Sequence, residues 1–217
     1  MIPLRDSLRP GRVPVLTLGL VAINVAAFVW RVTRPDAVEV WGLVPARLLA
    51  GIADPREWAT VLTSMFLHAD IFHLLGNVWF LWIFGDNVED RLGRGRFLLF
   101  YLLSGLAAAF GQFAADPTSP VPMIGASGAI AGVLGAYLRF FPGARVLAVV
   151  PIFFFAQLVE IRAVVFLGIW FLIQIVSSLL GGSGVAWWAH IGGFVAGFLL
   201  ALPVTRGRAP VRRARRR

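Results

Sequence analysis

The feature that most limits how this chain can fold is a series of six apolar stretches, each close to the length of a membrane-crossing helix. They lie at about residues 13–30, 71–88, 97–115, 124–141, 163–180 and 185–204. A helix needs about 20 mostly apolar residues to cross the hydrocarbon core, where its backbone groups must be satisfied within the segment. The stretches therefore predict an all-α polytopic membrane protein, a single domain with six transmembrane helices.

A further apolar run, at residues 146–159, does not fit a seventh crossing. It is shorter than the roughly 17 residues that a crossing helix needs. Pro151 also interrupts it, and a proline inside a helix removes a backbone hydrogen bond. We expect an interfacial or re-entrant segment there.

Composition and charge agree with a membrane protein and exclude other classes. The chain has 217 residues, 59% of them hydrophobic, and no cysteine, so neither a disulfide framework nor a thiolate-bound metal can form. The net charge is +9, and the arginines that carry it lie in the loops and tails between apolar stretches. That distribution indicates membrane topology and contact with lipid headgroups rather than nucleic acid binding.

The arginines also predict an orientation. The N-terminal tail (residues 1–12), the loop after the second stretch, the end of the fourth stretch with the loop after it (Arg139, Arg145 and Arg162) and the basic C-terminal tail (residues 205–217) together hold 16 of the 20 basic residues. Cytoplasmic segments of membrane proteins are enriched in basic residues. We therefore expect a multi-pass protein of the cell (plasma or inner) membrane with both termini in the cytoplasm.

Three of the six stretches carry polar side chains at a shared depth. Ser127, His190 and His73 fall in the first two turns of the fourth, sixth and second stretches. In the predicted topology these stretches all run from outside to inside, so the three side chains lie roughly 5 to 10 Å below the outer surface. Because polar groups are costly in lipid, they should face the bundle interior or a wet cavity.

Small residues predict that the fourth and sixth stretches touch. Glycines spaced i, i+4 allow close helix contact in membranes, and the two pairs are Gly128 with Gly132 and Gly193 with Gly197. Such contact would bring Ser127 toward His190. Taken alone, Ser127 is more often a packing residue than a nucleophile; the histidines are what change that interpretation.

The chemistry that these residues support is acyl transfer. Ser127 becomes a nucleophile if His190 accepts its proton, and the same imidazole can later protonate a leaving amine. No acidic residue lies in the fourth or sixth stretch to orient His190, so the sequence predicts a Ser-His dyad rather than a triad. His73 and Asn77, one turn apart, could stabilise the oxyanion together with the backbone N–H of Ser127.

These motifs resemble those of the bacterial rhomboid intramembrane serine proteases. Gly125-Ala126-Ser127-Gly128 is similar to the family's Gly-x-Ser-Gly motif, and the segment from Ala189 to Gly193 resembles the one that bears the catalytic histidine. Residues 68–77 resemble the motif whose second histidine and asparagine, here His73 and Asn77, contribute to the oxyanion hole. The resemblance implies a six-helix bundle, a serine endopeptidase that cuts transmembrane protein substrates near the outer membrane face, without metal or cofactor.

Two positions depart from the family pattern. Family members commonly carry Trp-Arg in the first loop, where this chain has Trp58-Ala59. Some members place an aromatic ring against the catalytic histidine four residues after the nucleophile, where this chain has Ala131.

Two other classes of function stay open at this point. The first is a non-catalytic rhomboid-like membrane protein that binds clients, although such a protein would not need Ser127, His190, His73 and Asn77 together. The second is a metal site built from the histidines, which ranks lowest because no His-Glu-x-x-His motif is present. The sequence does not specify the oligomeric state.

Overall fold

In the computed structural model, residues 1–152, 155–181, 184–204 and 212–213 are described, and most of them are helical. The helices are α1 (Val15–Val32), α2 (Ala37–Trp41), α3 (Pro45–Ala50), α4 (Pro55–Thr63), α5 (Ile71–Leu92), α6 (Arg94–Ala115), α7 (Ser127–Phe140), α8 (Ala163–Leu179) and α9 (Trp187–Leu200), with a 3₁₀ turn at Ser64–Phe66. The strands are β1 (Ile2–Asp6), β2 (Leu8–Arg9), β3 (Arg145–Ile152), β4 (Phe155–Arg162) and β5 (Arg212–Arg213).

The long helices overlap the six predicted apolar stretches, and they support a membrane protein. Among the described residues, α1 and α6 are long and apolar enough to cross a membrane, and the α4 segment with α5 forms a third candidate bent by 77°. Helices α8 and α9 are apolar but have 17 and 14 residues. Helix α7 has 14 residues and is surrounded by protein, because every residue from Gly128 to Tyr137 is buried. The count of six crossings stays a prediction.

The expectation of an all-α fold is wrong in one respect, because the structure contains a β-sheet. Strands β1, β3 and β4 form an antiparallel sheet in the order β1-β3-β4. Its hairpin occupies the 146–159 run that we expected to be interfacial or re-entrant. That run is rich in valine, which favours strands, and pairing from Arg145 opposite Arg162 to Ile152 opposite Phe155 gives its backbone groups partners without a crossing helix.

The N-terminal tail is part of the folded body. Strand β1 pairs with β3, and the Asp6 carboxylate at its end accepts hydrogen bonds from Tyr137 Oη, Asn87 Nδ2 and the Leu8 backbone N–H. Burial raises the pKa of Asp6 to about 6. Of the predicted C-terminal tail, only the two residues of β5, which pair with β2, belong to the described residues; the rest of 205–217 lies outside them.

The long segment before α5 is tied to the chain that leads into α7. Leu43 and Met123 exchange two backbone hydrogen bonds of 3.2 and 2.7 Å, and the Gly125 N–H donates to Ser64 O at 2.9 Å. Within the segment, Arg47 Nε contacts Glu57 Oε2 at 2.7 Å. An arginine at position 47 therefore joins α3 to α4, the helix in which Ala59 follows Trp58.

A buried carboxylate caps the first long helix. The first backbone N–H groups of a helix have no partner within it. Here the Glu89 carboxylate, on α5, accepts from Leu16 N at 3.1 Å, Thr17 N at 2.7 Å and Thr17 Oγ1 at 2.9 Å. Glu89 is 3% exposed. This contact fixes the start of α1 against the end of α5, and the negative charge complements the positive end of the helix.

We expect Glu89→Ala to destabilise the bundle. The substitution removes three hydrogen bonds to a charged group and leaves buried donors unsatisfied, a loss on the order of 3 kcal/mol. The thermal unfolding of the purified protein in detergent measures it. Asp90→Ala is the matched control, because the Asp90 carboxylate accepts the Gly11 N–H in an exposed contact. Equal unfolding temperatures for the two variants would contradict the capping role.

Candidate active site

Helices α7 and α9 touch through their backbones, as the glycine pairs predict. A Cβ atom added to Gly193 would lie 2.0 Å from Gly128 O, and one added to Gly197 would lie 2.1 Å from Gly132 O. Neither position can hold a side chain without moving the helices apart. The close contact therefore sets the distance between the first turns of α7 and α9, where Ser127 and His190 lie.

Ser127 and His190 are in direct hydrogen-bond contact. Ser127 is the first residue of α7, and its Oγ lies 2.8 Å from His190 Nε2. The two residues are 63 positions apart in the chain and lie on different helices. The structure thus brings together the two side chains that the sequence analysis proposed as nucleophile and base.

A third side chain, Gln174 on α8, contacts the other ring nitrogen of His190. Gln174 Nε2 donates to Trp170 O at 3.0 Å, so its amide oxygen faces His190, and Oε1 lies 2.7 Å from His190 Nδ1. An amide oxygen only accepts, so this contact is a hydrogen bond when Nδ1 carries the hydrogen. In that tautomer Nε2 can accept the Ser127 hydroxyl proton.

Gln174 was not among the site residues predicted from the sequence. The available signal was a glutamine in the otherwise apolar 163–180 stretch, where a polar side chain is costly unless it has a partner. Gln174 is 5% exposed, which fits a side chain turned into the bundle.

Two tryptophans surround the His190 ring. The Trp170 ring lies 6.0 Å from it at an interplanar angle of 35°, and the Trp187 ring lies 6.1 Å away at 90°. Ala131, on α7, is buried and has no aromatic ring to offer. The aromatic contacts to His190 therefore come from α8 and from the first turn of α9.

His73 lies beside the nucleophile. Its ring fits there because residue 125 is a glycine and has no side chain. Gly125 has φ +123°, and a Cβ there would come 2.7 Å from His73 Nε2 and 3.6 Å from Ser127 Oγ. His73 Nδ1 accepts the Ala69 N–H at 3.4 Å, so Nε2 carries the hydrogen. The Asp70 side chain caps the start of α5 by accepting the His73 N–H at 2.9 Å. His73 therefore presents an N–H donor on the side of Ser127.

His68 supports the His73 ring. It is fully buried, and its ring meets that of His73 edge to face at a centroid distance of 5.1 Å. Its Nδ1–H donates to Phe66 O at 3.2 Å. Burial, with the nearby His73, lowers the pKa of His68 to about 4, so the ring is neutral at physiological pH.

Asn77 follows His73 by one helical turn. It is 7% exposed, and its Nδ2 donates to His73 O at 3.0 Å within α5. Among the contacts of the described residues, this bond within the helix is the one that Asn77 makes, and no bond to Ser127 is present. The structure therefore joins Ser127 to His190 directly, and His73 Nε2 and Ser127 Oγ both lie next to Gly125.

Backbone donors complete the arrangement. The N–H groups of the first turn of α7, which begins at Ser127, have no partner in their own helix, and they stand at its positive end. A serine with an acceptor imidazole, next to a histidine N–H and a helix N-terminus, has the parts needed to attack a carbonyl and hold the negative oxygen that results.

Comparison with known proteins finds related sequences across most of the chain. The family profile described as "Rhomboid domain" matches residues 55–207. The chain is 37% identical over 145 residues to "Rhomboid protease GluP" of Bacillus subtilis, an alignment that covers 67% of this chain and 26% of that protein. It is 27% identical over 183 residues to the human "Presenilin-associated rhomboid-like protein, mitochondrial", covering 82% of this chain and 45% of that one.

A third relative is "Rhomboid protein 1, mitochondrial" of Saccharomyces cerevisiae, 29% identical over 137 residues, which cover 61% of this chain and 38% of that protein. In each of these three relatives, the aligned part is less than half of the relative's own length.

Proposed function

The chain belongs to the rhomboid family, and from that membership we propose that it is an intramembrane serine endopeptidase. It hydrolyses peptide bonds of transmembrane protein substrates near the outer face of the membrane, using Ser127 and His190 as a catalytic dyad. The observation that carries the proposal is the 2.8 Å contact between Ser127 Oγ and His190 Nε2. A membrane protein with a purely binding role would have no use for an imidazole that accepts a serine proton.

The reaction begins when the Ser127 oxygen attacks the substrate carbonyl carbon. His190 Nε2 takes the hydroxyl proton as the bond forms, and the imidazolium then gives it to the leaving amine. The product of this half-reaction is an ester between Ser127 and the N-terminal part of the substrate. Water, with its proton taken by the same imidazole, releases the second product and restores the enzyme.

The tetrahedral oxygen receives hydrogen bonds from three directions. Two of the donors are His73 Nε2–H, which lies next to Gly125 as Ser127 Oγ does, and the backbone N–H of Ser127. The Asn77 amide has a second N–H beyond the one that binds His73 O, and we assign it to the same oxygen. Donors that are already oriented are effective because they need no rearrangement during the reaction.

The substrate must be locally unwound to react. The carbonyl groups of an intact helix are hydrogen-bonded and shielded, so the scissile segment has to leave the helical conformation before Ser127 can reach it. Such a segment is most accessible near the membrane surface, where water can satisfy the released backbone groups. With both termini in the cytoplasm, as the arginines favour, Ser127 lies toward the outer face.

Reconstitution tests the proposal. The full chain is placed in liposomes with a single-span substrate that has a helix-breaking segment near its outer end, and the products are identified by mass. We expect one cut within that outer segment. We also expect a fluorophosphonate probe, which reacts with activated serines, to label the peptide that contains Ser127, and we expect His190→Ala to lose the labelling.

The outcomes separate the two candidate functions. Cleavage with labelling at Ser127 supports the endopeptidase. Stable binding of the substrate by the parent chain, with neither cleavage nor labelling, would instead favour the client-binding alternative. Cleavage that persists in His190→Ala would contradict the assignment of the base.

A further inference from the structure

We propose that Gln174 is a positioning residue for the catalytic imidazole, so that α8 supplies a neutral third member to the Ser127–His190 pair. The inference rests on the proposed function, since an imidazole needs a defined tautomer only if it acts as a base. It goes beyond the dyad, because it assigns a task to a helix that carries neither nucleophile nor base.

The hydrogen bonds of Gln174 have a defined direction. Gln174 Nε2 is held by Trp170 O at 3.0 Å, which leaves Oε1 toward His190 Nδ1 at 2.7 Å. A neutral imidazole has one N–H, and either ring nitrogen can carry it. If Nε2 carried it, the ring would point an N–H at the Ser127 hydroxyl and could not accept its proton. The glutamine excludes that arrangement by offering an acceptor at Nδ1.

Helix α8 presents two side chains to His190. Trp170 and Gln174 are one turn apart, so they lie on the same face of the helix. The Trp170 ring covers His190 at 6.0 Å, while the Gln174 amide binds the ring edge. The opposite face carries exposed apolar side chains: Val165, Ile169, Leu172 and Val176. One face of α8 therefore holds the imidazole in place and in the required tautomer, and the other faces away from the bundle.

An amide suits this buried position better than a carboxylate does. In soluble serine hydrolases a carboxylate usually holds the imidazole and stabilises its positive form. A carboxylate is much more costly to bury than an amide, and the cost is highest inside a membrane. An amide oxygen supplies the acceptor without a net charge. Gln174 therefore gives the orienting effect of a third residue at a lower desolvation cost.

The tautomer can be measured directly. The chain has three histidines, so ¹⁵N NMR of histidine-labelled protein in lipid gives few ring signals, and those of His190 are identified by their loss in His190→Ala. We expect the parent to show a protonated Nδ1 and an unprotonated Nε2. In Gln174→Leu, which keeps the volume but removes the acceptor, we expect the Nε2–H form to gain population.

Kinetics of the same variants give the second readout. Gln174→Leu should lower kcat by about 10- to 100-fold, the loss expected for one hydrogen bond to a group that becomes charged in the transition state, with KM little changed. Gln174→Glu should keep the Nδ1–H form and most of the kcat, because a carboxyl group retains the acceptor. Ser178→Ala is the matched control on α8, since its hydroxyl donates to Ile175 O within the helix.

The outcomes decide the proposal. A tautomer shift with a fall in kcat in Gln174→Leu, and recovery of both in Gln174→Glu, supports it. An Nε2–H form in the parent, an unchanged tautomer in Gln174→Leu, or a shifted tautomer with unchanged kcat would overturn it. A parent that is folded but cleaves no substrate would count against the proposed protease, and the NMR result would still decide whether Gln174 sets the tautomer.

Discussion

Replacing Ser127 with alanine is expected to abolish cleavage of a transmembrane substrate, with a loss of about 10⁴-fold or more. The substitution removes the atom that forms the new bond to the substrate carbonyl. His190, His73 and the helix N-terminus remain, and they can orient a substrate but cannot form the ester intermediate. The measurement is the initial rate of fragment formation in liposomes, at equal amounts of folded parent and variant.

Ser104→Ala is the matched control for that loss. Ser104 is also a buried serine of the bundle, on α6, and its hydroxyl has no hydrogen-bond partner among the described residues. Removing this hydroxyl should leave the cleavage rate within a factor of about 2, because no hydrogen bond is lost with it. Residual cleavage by Ser127→Ala above the rate of empty liposomes would show that another group is the nucleophile. An equal loss in both variants would mean that the assay reports folding.

The pairing of Ser127 with His190 could be predicted because two local signals point to one contact. Glycines at i, i+4 on two apolar stretches indicate which helix faces touch. They place the serine in the first turn of one helix and the histidine in the first turn of the helix beside it. Both signals depend only on helical periodicity, which the sequence contains. The apolar stretches follow from the length and hydrophobicity of each run, and helices overlap all six of them.

Gln174 could not be predicted in the same way. Its role depends on how α8 is rotated against α9, and the Ala163–Leu179 segment is apolar on nearly all sides, so no amphipathic face indicates the rotation. The Glu89 cap could not be predicted either, because it depends on a contact between Thr17 and a residue 72 positions away in the chain. The hairpin of β3 and β4 was missed because a short valine-rich run without charges is ambiguous between a strand and a buried helix.

A second large effect is expected for Gly193→Ala, which adds one methyl group between α7 and α9. The new Cβ would lie 2.0 Å from Gly128 O. Because a Cβ and a backbone oxygen are both fixed by the backbone, no change of side-chain rotamer can relieve this contact. To reach 3.0 Å the helices must move apart by about 1 Å, and a displacement of that size at a catalytic pair typically costs about 100-fold in rate. We expect a fall of that order in kcat, together with weaker labelling of Ser127 by the fluorophosphonate probe.

The control for this prediction must carry the same chemical change without the contact. Gly19→Ala in α1 meets that need, because a Cβ at Gly19 meets nothing within 4 Å. Both substitutions gain helix propensity, by about 1 kcal/mol at an unhindered position, so a difference between them isolates the clash with Gly128 O. If Gly193→Ala kept the parent's rate and labelling, the close backbone contact would not be what sets the Ser127–His190 distance. A slow Gly193→Ala that still unfolds at the parent's temperature would instead indicate that a small displacement at the dyad, rather than loss of the bundle, removes the activity.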